Sequence, residues 1–152
     1  MKIRIELSED EAEEIVIRCR QESERIRMLA SVIETLTGES GELVLSLGNT
    51  EYYVPKEDIL FFETFDGKVY AHTADGMYQT AYRLFELEEA MPSYFVRISK
   101  SVIANIKQIG SLRRELTGNG EICFRNSDKI TYFSRAYYKI LKDKIEEVRF
   151  SK

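Results

Sequence analysis

The chain has 152 residues, 43% of them apolar and 32% charged, with only two prolines; this fits one ordered globular unit with a real core and excludes a linker or disordered tail. Two cysteines, Cys19 and Cys123, exclude a disulfide framework, no Cys-x-x-Cys pair exists for zinc, and one histidine, His72, excludes a poly-histidine metal site. The net charge of −4 hides a polarity: residues 95–152 carry 13 Lys/Arg against 6 Asp/Glu, whereas residues 1–94 carry 9 against 20.

In chain order, residues 2–7 (Lys-Ile-Arg-Ile-Glu-Leu) alternate strictly and predict a strand. The β-branched run from Ile15 to Cys19 predicts a second short strand; a single long helix through 10–37 is the competing reading. Ile26, Leu29, Ala30, Ile33 and Leu36 fall at helical spacing, so a helix is expected over 22–36, ended by Gly38. The stretch 38–41 marks a boundary between an N-terminal strand/helix segment (1–41) and the remainder (42–152).

Beyond residue 42 the pattern changes to short apolar runs between turn residues. Leu43–Leu47 precedes Gly48-Asn49. Asp66-Gly67 sits between Ile59–Thr64 and Val69–Thr73, a hairpin signal. Further turns fall at Asp75-Gly76, at Thr117–Gly120 and at Asn126–Asp128. Turns this frequent predict an antiparallel β body. Two short helices interrupt it. One covers about 83–91, with Leu84, Leu87 and Met91 inward and Pro92 closing it. The other covers about 135–148 behind an N-cap at Ser134, with Tyr137, Ile140, Leu141, Ile145 and Val148 inward and Arg135, Lys139 and Lys142 wet. The longest apolar run, Ile59–Phe62, is far too short to span a membrane, and the alternating charges at the N-terminus exclude a signal-peptide core. With unpaired cysteines, the chain is expected in the cytoplasm.

A basic rear attracts polyanions over roughly 8–10 Å at physiological salt, and nucleic acid is the default polyanion. Three segments sharpen this: 61–73 around the Asp66-Gly67 turn, Phe95-Val96-Arg97-Ile98-Ser99-Lys100-Ser101 through Asn105, and Ser134-Arg135-Ala136-Tyr137-Tyr138 through Lys142. In this order and spacing, with the helix around Leu84–Met91 before the second, they resemble the LytTR-type DNA-binding domain of bacterial transcription regulators, over about residues 43–148. The resemblance implies a mainly β, elongated antiparallel fold with two short helices, here preceded by a small αβ segment. It also implies binding of duplex DNA through inter-strand loops, without a recognition helix. Carried over by position, Lys100 and Arg135 point to base edges. Lys68 lies in the turn where a third loop of the family meets DNA. Ser99 and Ser101, with Lys139 and Lys142, are expected at phosphates. Arg97 is expected to pair with an acid, and Asn105 to bond backbone.

An enzyme needs a constellation. His72 with Asp66 or Asp75, and Ser99 or Ser101 as nucleophile, can be drawn, as can Glu63 and Asp66 as a carboxylate pair. No nucleophile elbow or phosphate-binding glycine pattern accompanies them, so no catalysis, metal or cofactor is expected. The alternative is an RNA-binding or protein-interaction β module, with Phe61, Phe62, Tyr70 and Tyr82 as stacking platforms. Alternation allows only one of Phe61 and Phe62 to be exposed. The resemblance also implies a stand-alone regulator, since 42 residues are too few for a receiver domain. The apolar stripe of the front helix then suggests a homodimer, with a regulatory protein partner also open.

Overall fold

The computed structural model describes residues 2–10, 14–37 and 41–150. Helix α1 (Glu24–Thr37) precedes a hairpin of β1 (Glu42–Leu47) and β2 (Thr50–Pro55). Strands β3 (Ile59–Phe65), β4 (Lys68–Thr73) and β5 (Met77–Thr80) follow, then α2 (Leu84–Ala90), β6 (Phe95–Arg97) and β7 (Val102–Asn105). The chain ends with β8 (Ile109–Arg114), β9 (Gly120–Phe124), β10 (Ile130–Phe133) and α3 (Tyr138–Phe150). The strands form a seven-stranded sheet, ordered β2-β1-β5-β4-β3-β7-β6, and a three-stranded sheet, β10-β9-β8. Every pairing is antiparallel, so the fold is the mainly β architecture that the turn spacing predicts.

The larger sheet buries both faces along β3, β7 and β6. One face, with Leu60, Phe61, Val96, Val102 and Ala104, packs on Ile109, Ile122, Phe124 and Phe133 of the smaller sheet and Leu141 of α3. The other, with Ile59, Phe62, Phe95 and Ile103, packs on Leu84, Leu87 and Met91 in and just after α2. A bulge between Ile59 and Phe61 puts Leu60 and Phe61 on the same face, and because both faces of β3 are covered, all four residues Ile59–Phe62 are buried. Each fully buried Phe, Leu or Ile contributes roughly 1.5–3 kcal/mol. Phe61 and Phe62 are both interior, at 3% and 0% exposure.

Other expectations need correction. Residues 2–10 and 14–23 lie in neither strand nor helix, so neither front strand forms, and the long helix through 10–37 is excluded. The alternation of 2–7 meets no partner: Ile3, Ile5 and Leu7 remain 87%, 82% and 95% exposed, and an unpaired strand has nothing to satisfy its backbone. Within α1, Ile26, Leu29, Ala30 and Ile33 are half-buried. Gly38 and the side chain of Leu36 lie outside the described residues. In the last helix a 3-10 turn, Arg135–Tyr137, precedes α3. Its tighter winding shifts the phase, so Tyr138 packs on the core while Ile140 is 58% exposed. Ser134 makes no side-chain cap there.

Candidate nucleic-acid interface

Four connections gather at one end of the molecule, tied by backbone hydrogen bonds. The β6–β7 connection closes on itself as Ile98 N–H donates to Val102 O at 3.0 Å. Thr64 N–H, at the base of the β3–β4 hairpin, donates to Ser101 O at 2.8 Å. Ser134 N–H, at the entry to α3, donates to Ile98 O at 3.0 Å. Arg135 N–H donates to Asn119 Oδ1 at 2.8 Å, binding in the β8–β9 turn. Between these connections runs a groove of about 490 Å³, lined by Glu63, Ser99, Ser101, Asn119 and Tyr132–Ser134 among others.

Lys100 and Arg135 are both exposed on neighbouring walls of this end. Arg97 holds the Lys100 loop: its Nε donates to Ser99 O at 2.8 Å, its Nη2 to Lys100 O, and its Nη1 to Glu88 of α2 at 2.8 Å. The expected acid partner of Arg97 is therefore Glu88. Ser99 is 9% exposed and its Oγ accepts Ser101 N–H at 3.3 Å, so its hydroxyl shapes the loop. Ser101 is exposed. Lys68 is exposed beside a turn whose Asp66 (φ 51°) and Gly67 (φ 75°) both adopt positive φ, as a two-residue type I′ hairpin requires. Lys139 is exposed and Lys142 half-buried on α3. Asn105, fully buried, donates to the carbonyls of Glu57 and Ile59 at 3.3 and 2.9 Å and accepts Lys107 N–H at 3.0 Å, the backbone-bonding role expected of it.

The partners of His72 differ from the aspartates and serines drawn with it. His72 is buried and stacks on Phe61 at 4.2 Å. Its Nε2 lies 2.7 Å from Glu63 Oε1, and its Nδ1 faces Lys129 Nζ at 3.3 Å. A lysine ammonium only donates, so Nδ1 accepts and Nε2 carries the proton toward Glu63. Both ring nitrogens are thereby occupied, leaving none for a serine hydroxyl. Burial holds the His72 pKa below its ordinary value, against the raising influence of Glu63. Burial likewise lowers that of Lys129, which also donates to Gly76 O.

With this geometry in view, comparison with known proteins is informative. The profile of the LytTr DNA-binding domain matches residues 49–146. The chain belongs to the LytTr DNA-binding domain family. Over 146 residues it is 27% identical to an uncharacterized HTH-type transcriptional regulator of Staphylococcus aureus strain NCTC 8325, covering 95% of this chain and 98% of that one. A relative of the same description in strain MRSA252 is 26% identical with the same coverage. A solved LytTr DNA-binding domain from Bacillus cereus superposes with a TM-score of 0.64, at 20% identity, over 69% of this chain and 96% of that domain.

Within the LytTr fold, the β8–β9 turn forms where the sequence predicts it, at Thr117–Gly120, but its part in this end of the molecule was not foreseen. Asn119 accepts the first N–H of the last helical segment, that of Arg135, one of the donors a helix start leaves without an internal partner. Gly118 (φ 92°) lies under Arg135: a Cβ there would stand 2.6 Å from both Cγ and Cδ of that arginine. Leu116, in the same turn, is wholly exposed, and Phe65 beside the β3–β4 turn is 69% exposed. The Thr117–Gly120 cluster signalled a turn, but no local pattern signalled which end of the fold it joins.

Proposed function

We propose that the chain is a cytoplasmic, sequence-specific, duplex-DNA-binding transcription regulator that reads major-groove bases through its inter-strand connections. The observation that carries this reading is the shared placement of Lys100 and Arg135, exposed on two connections joined by the Ser134–Ile98 hydrogen bond. Arg135 offers a bidentate donor pair for guanine O6 and N7, and Lys100 a single looser donor. Lys68, Ser101, Lys139 and Lys142 supply phosphate contacts, which fix register without reading sequence. Ser99 acts by shaping the loop that presents its neighbours. Membership of the LytTr family supports the reading, as does the description of the staphylococcal relatives as transcriptional regulators.

Stacking of single-stranded RNA is disfavoured by the burial of Phe61 and Phe62. The test is selection of bound duplexes from a random library, followed by gel shifts with Arg135→Ala. The expected result is loss of discrimination between selected and scrambled duplex by roughly 1–3 kcal/mol, about 5- to 150-fold. Equal weakening on both duplexes would reduce Arg135 to a phosphate contact, and failure to select any sequence would overturn the reading.

A further inference from the structure

The front segment has two unlike faces and nothing to pair with among the described residues. Ile3, Ile5 and Leu7 are 82–95% exposed. Arg4 and Glu6, on the other side of the alternation, form an ion pair at 2.8 Å. A strictly alternating segment carries its partner preference in its charges, because directly opposed residues of an antiparallel pair share a face. Three antiparallel registers against residues 15–19 of the same chain are available. Aligning Ile5 with Ile17 sets Arg4 against Arg18. Sliding by two residues sets Glu6 against Glu14 in one direction, and in the other sets Arg4 against Arg20 while Glu6 meets Arg18. Each of these registers opposes at least one like-charged pair.

A second copy of the same segment has no such conflict. With Ile5 opposite Ile5, Ile3 meets Leu7 and Arg4 meets Glu6, each pair occurring twice by symmetry. We propose that residues 3–7 pair with residues 3–7 of a second copy as a two-stranded antiparallel ribbon centred on Ile5, making this chain a homodimer. The contact is self-complementary, as a two-fold interface requires. An isolated ribbon is marginal in water, and its apolar face needs cover. Met28 and Val32 of α1, one turn apart and outside its half-buried stripe, are 65% and 51% exposed and offer apolar surface for that cover. Joining two DNA-reading ends lets weak single-site contacts combine. The ribbon itself is read without DNA, so its failure and failure of the DNA reading are separable.

The test is sedimentation equilibrium of the full chain without DNA, for the wild type, Arg4→Glu, Glu6→Arg and the double swap. These positions are exposed and outside the core, so the fold tolerates them. Each single change creates two like-charged cross-strand pairs, and the dimer Kd is expected to rise about tenfold or more. The double swap is expected to return it to within about threefold of wild type. In a Cys19→Ser background, Ile5→Cys is expected to oxidise to a covalent dimer much faster than Arg4→Cys. A wild-type monomer at high micromolar concentration would overturn the proposal, as would single swaps without effect, a double swap that fails to recover, or equal oxidation of the two cysteine variants.

Discussion

Arg97 does more than balance a charge, and replacing it separates two ways of holding the Lys100 loop. Arg97→Ala removes the donors to Ser99 O and Lys100 O together with the ion pair to Glu88. The Glu88 carboxylate is half exposed, so that pair is worth at most about 0.5–1 kcal/mol. The two carbonyls accept charge-assisted bonds from a guanidinium only 22% exposed, and after its loss water solvates them in part, so about 1 kcal/mol each is reasonable. The sum, about 2–3 kcal/mol, lowers the melting temperature by roughly 5–10 °C in a domain of this size. Glu88→Ala, which leaves both carbonyl bonds intact, is expected to cost no more than about a third of that. Thermal melting followed by circular dichroism gives the stabilities, and gel-shift titration gives affinity for a selected duplex. Specific affinity is expected to fall about tenfold or more for Arg97→Ala at a temperature where the protein is fully folded, because Lys100 loses its fixed loop. Equal destabilisation by the two substitutions, or unchanged specific affinity in folded Arg97→Ala, would refute the reasoning.

Gly118→Ala combines a strained positive φ with a clash against the Arg135 side chain; a loss of about 1–2 kcal/mol in urea unfolding is expected, with a drop in specific over scrambled duplex affinity that tracks Arg135→Ala. Asn105→Ala strands the Ile59 carbonyl and the Lys107 N–H, while Glu57 O keeps its bond from Gln108, and about 2–3 kcal/mol of stability should be lost in urea unfolding, while DNA affinity of the folded fraction is retained. His72 has a folded pKa below its ordinary 6.5, so on acidification below about 6.5 the unfolded chain binds the proton first and stability falls with pH until the folded pKa is passed. His72→Gln, which can still donate to Glu63 and accept from Lys129, is expected to flatten that slope in urea midpoints measured from pH 7.5 to 5.5; an unchanged slope would assign it to other groups.

Much of the β body was legible because its turns announce themselves. Asp66-Gly67 demands positive φ twice, and a tight hairpin with alternating flanks is one of the few local arrangements that satisfies it. The α2 stripe was legible for a similar reason, as Leu84, Leu87 and Met91 define a face at helical spacing and Pro92 ends it. The burial of both Phe61 and Phe62 was not, since the two side chains alternate to opposite faces and both faces are covered, and cover arriving from both sides leaves no mark in strand periodicity. The front strands failed for the opposite reason: the 2–7 pattern is strong, but a strand exists only through a partner, which the chain alone does not supply. Of the proposed interface, the motif singled out Lys100 and Arg135, and the structure leaves both exposed. The acid that pairs with Arg97 lies 9 residues back on another element and Asn119 bonds Arg135 from 16 residues away, and over such separations sequence proximity does not name the partner.

The two adjacent phenylalanines of β3 have a mechanical consequence. Because one strand serves as a wall of both hydrophobic compartments, neither layer can come apart while the other stays intact. Amide protons of β3 should therefore exchange only through whole-molecule opening. The connections around the groove then share one rigid frame, and their spacing is set by the same strand that keeps the two compartments dry.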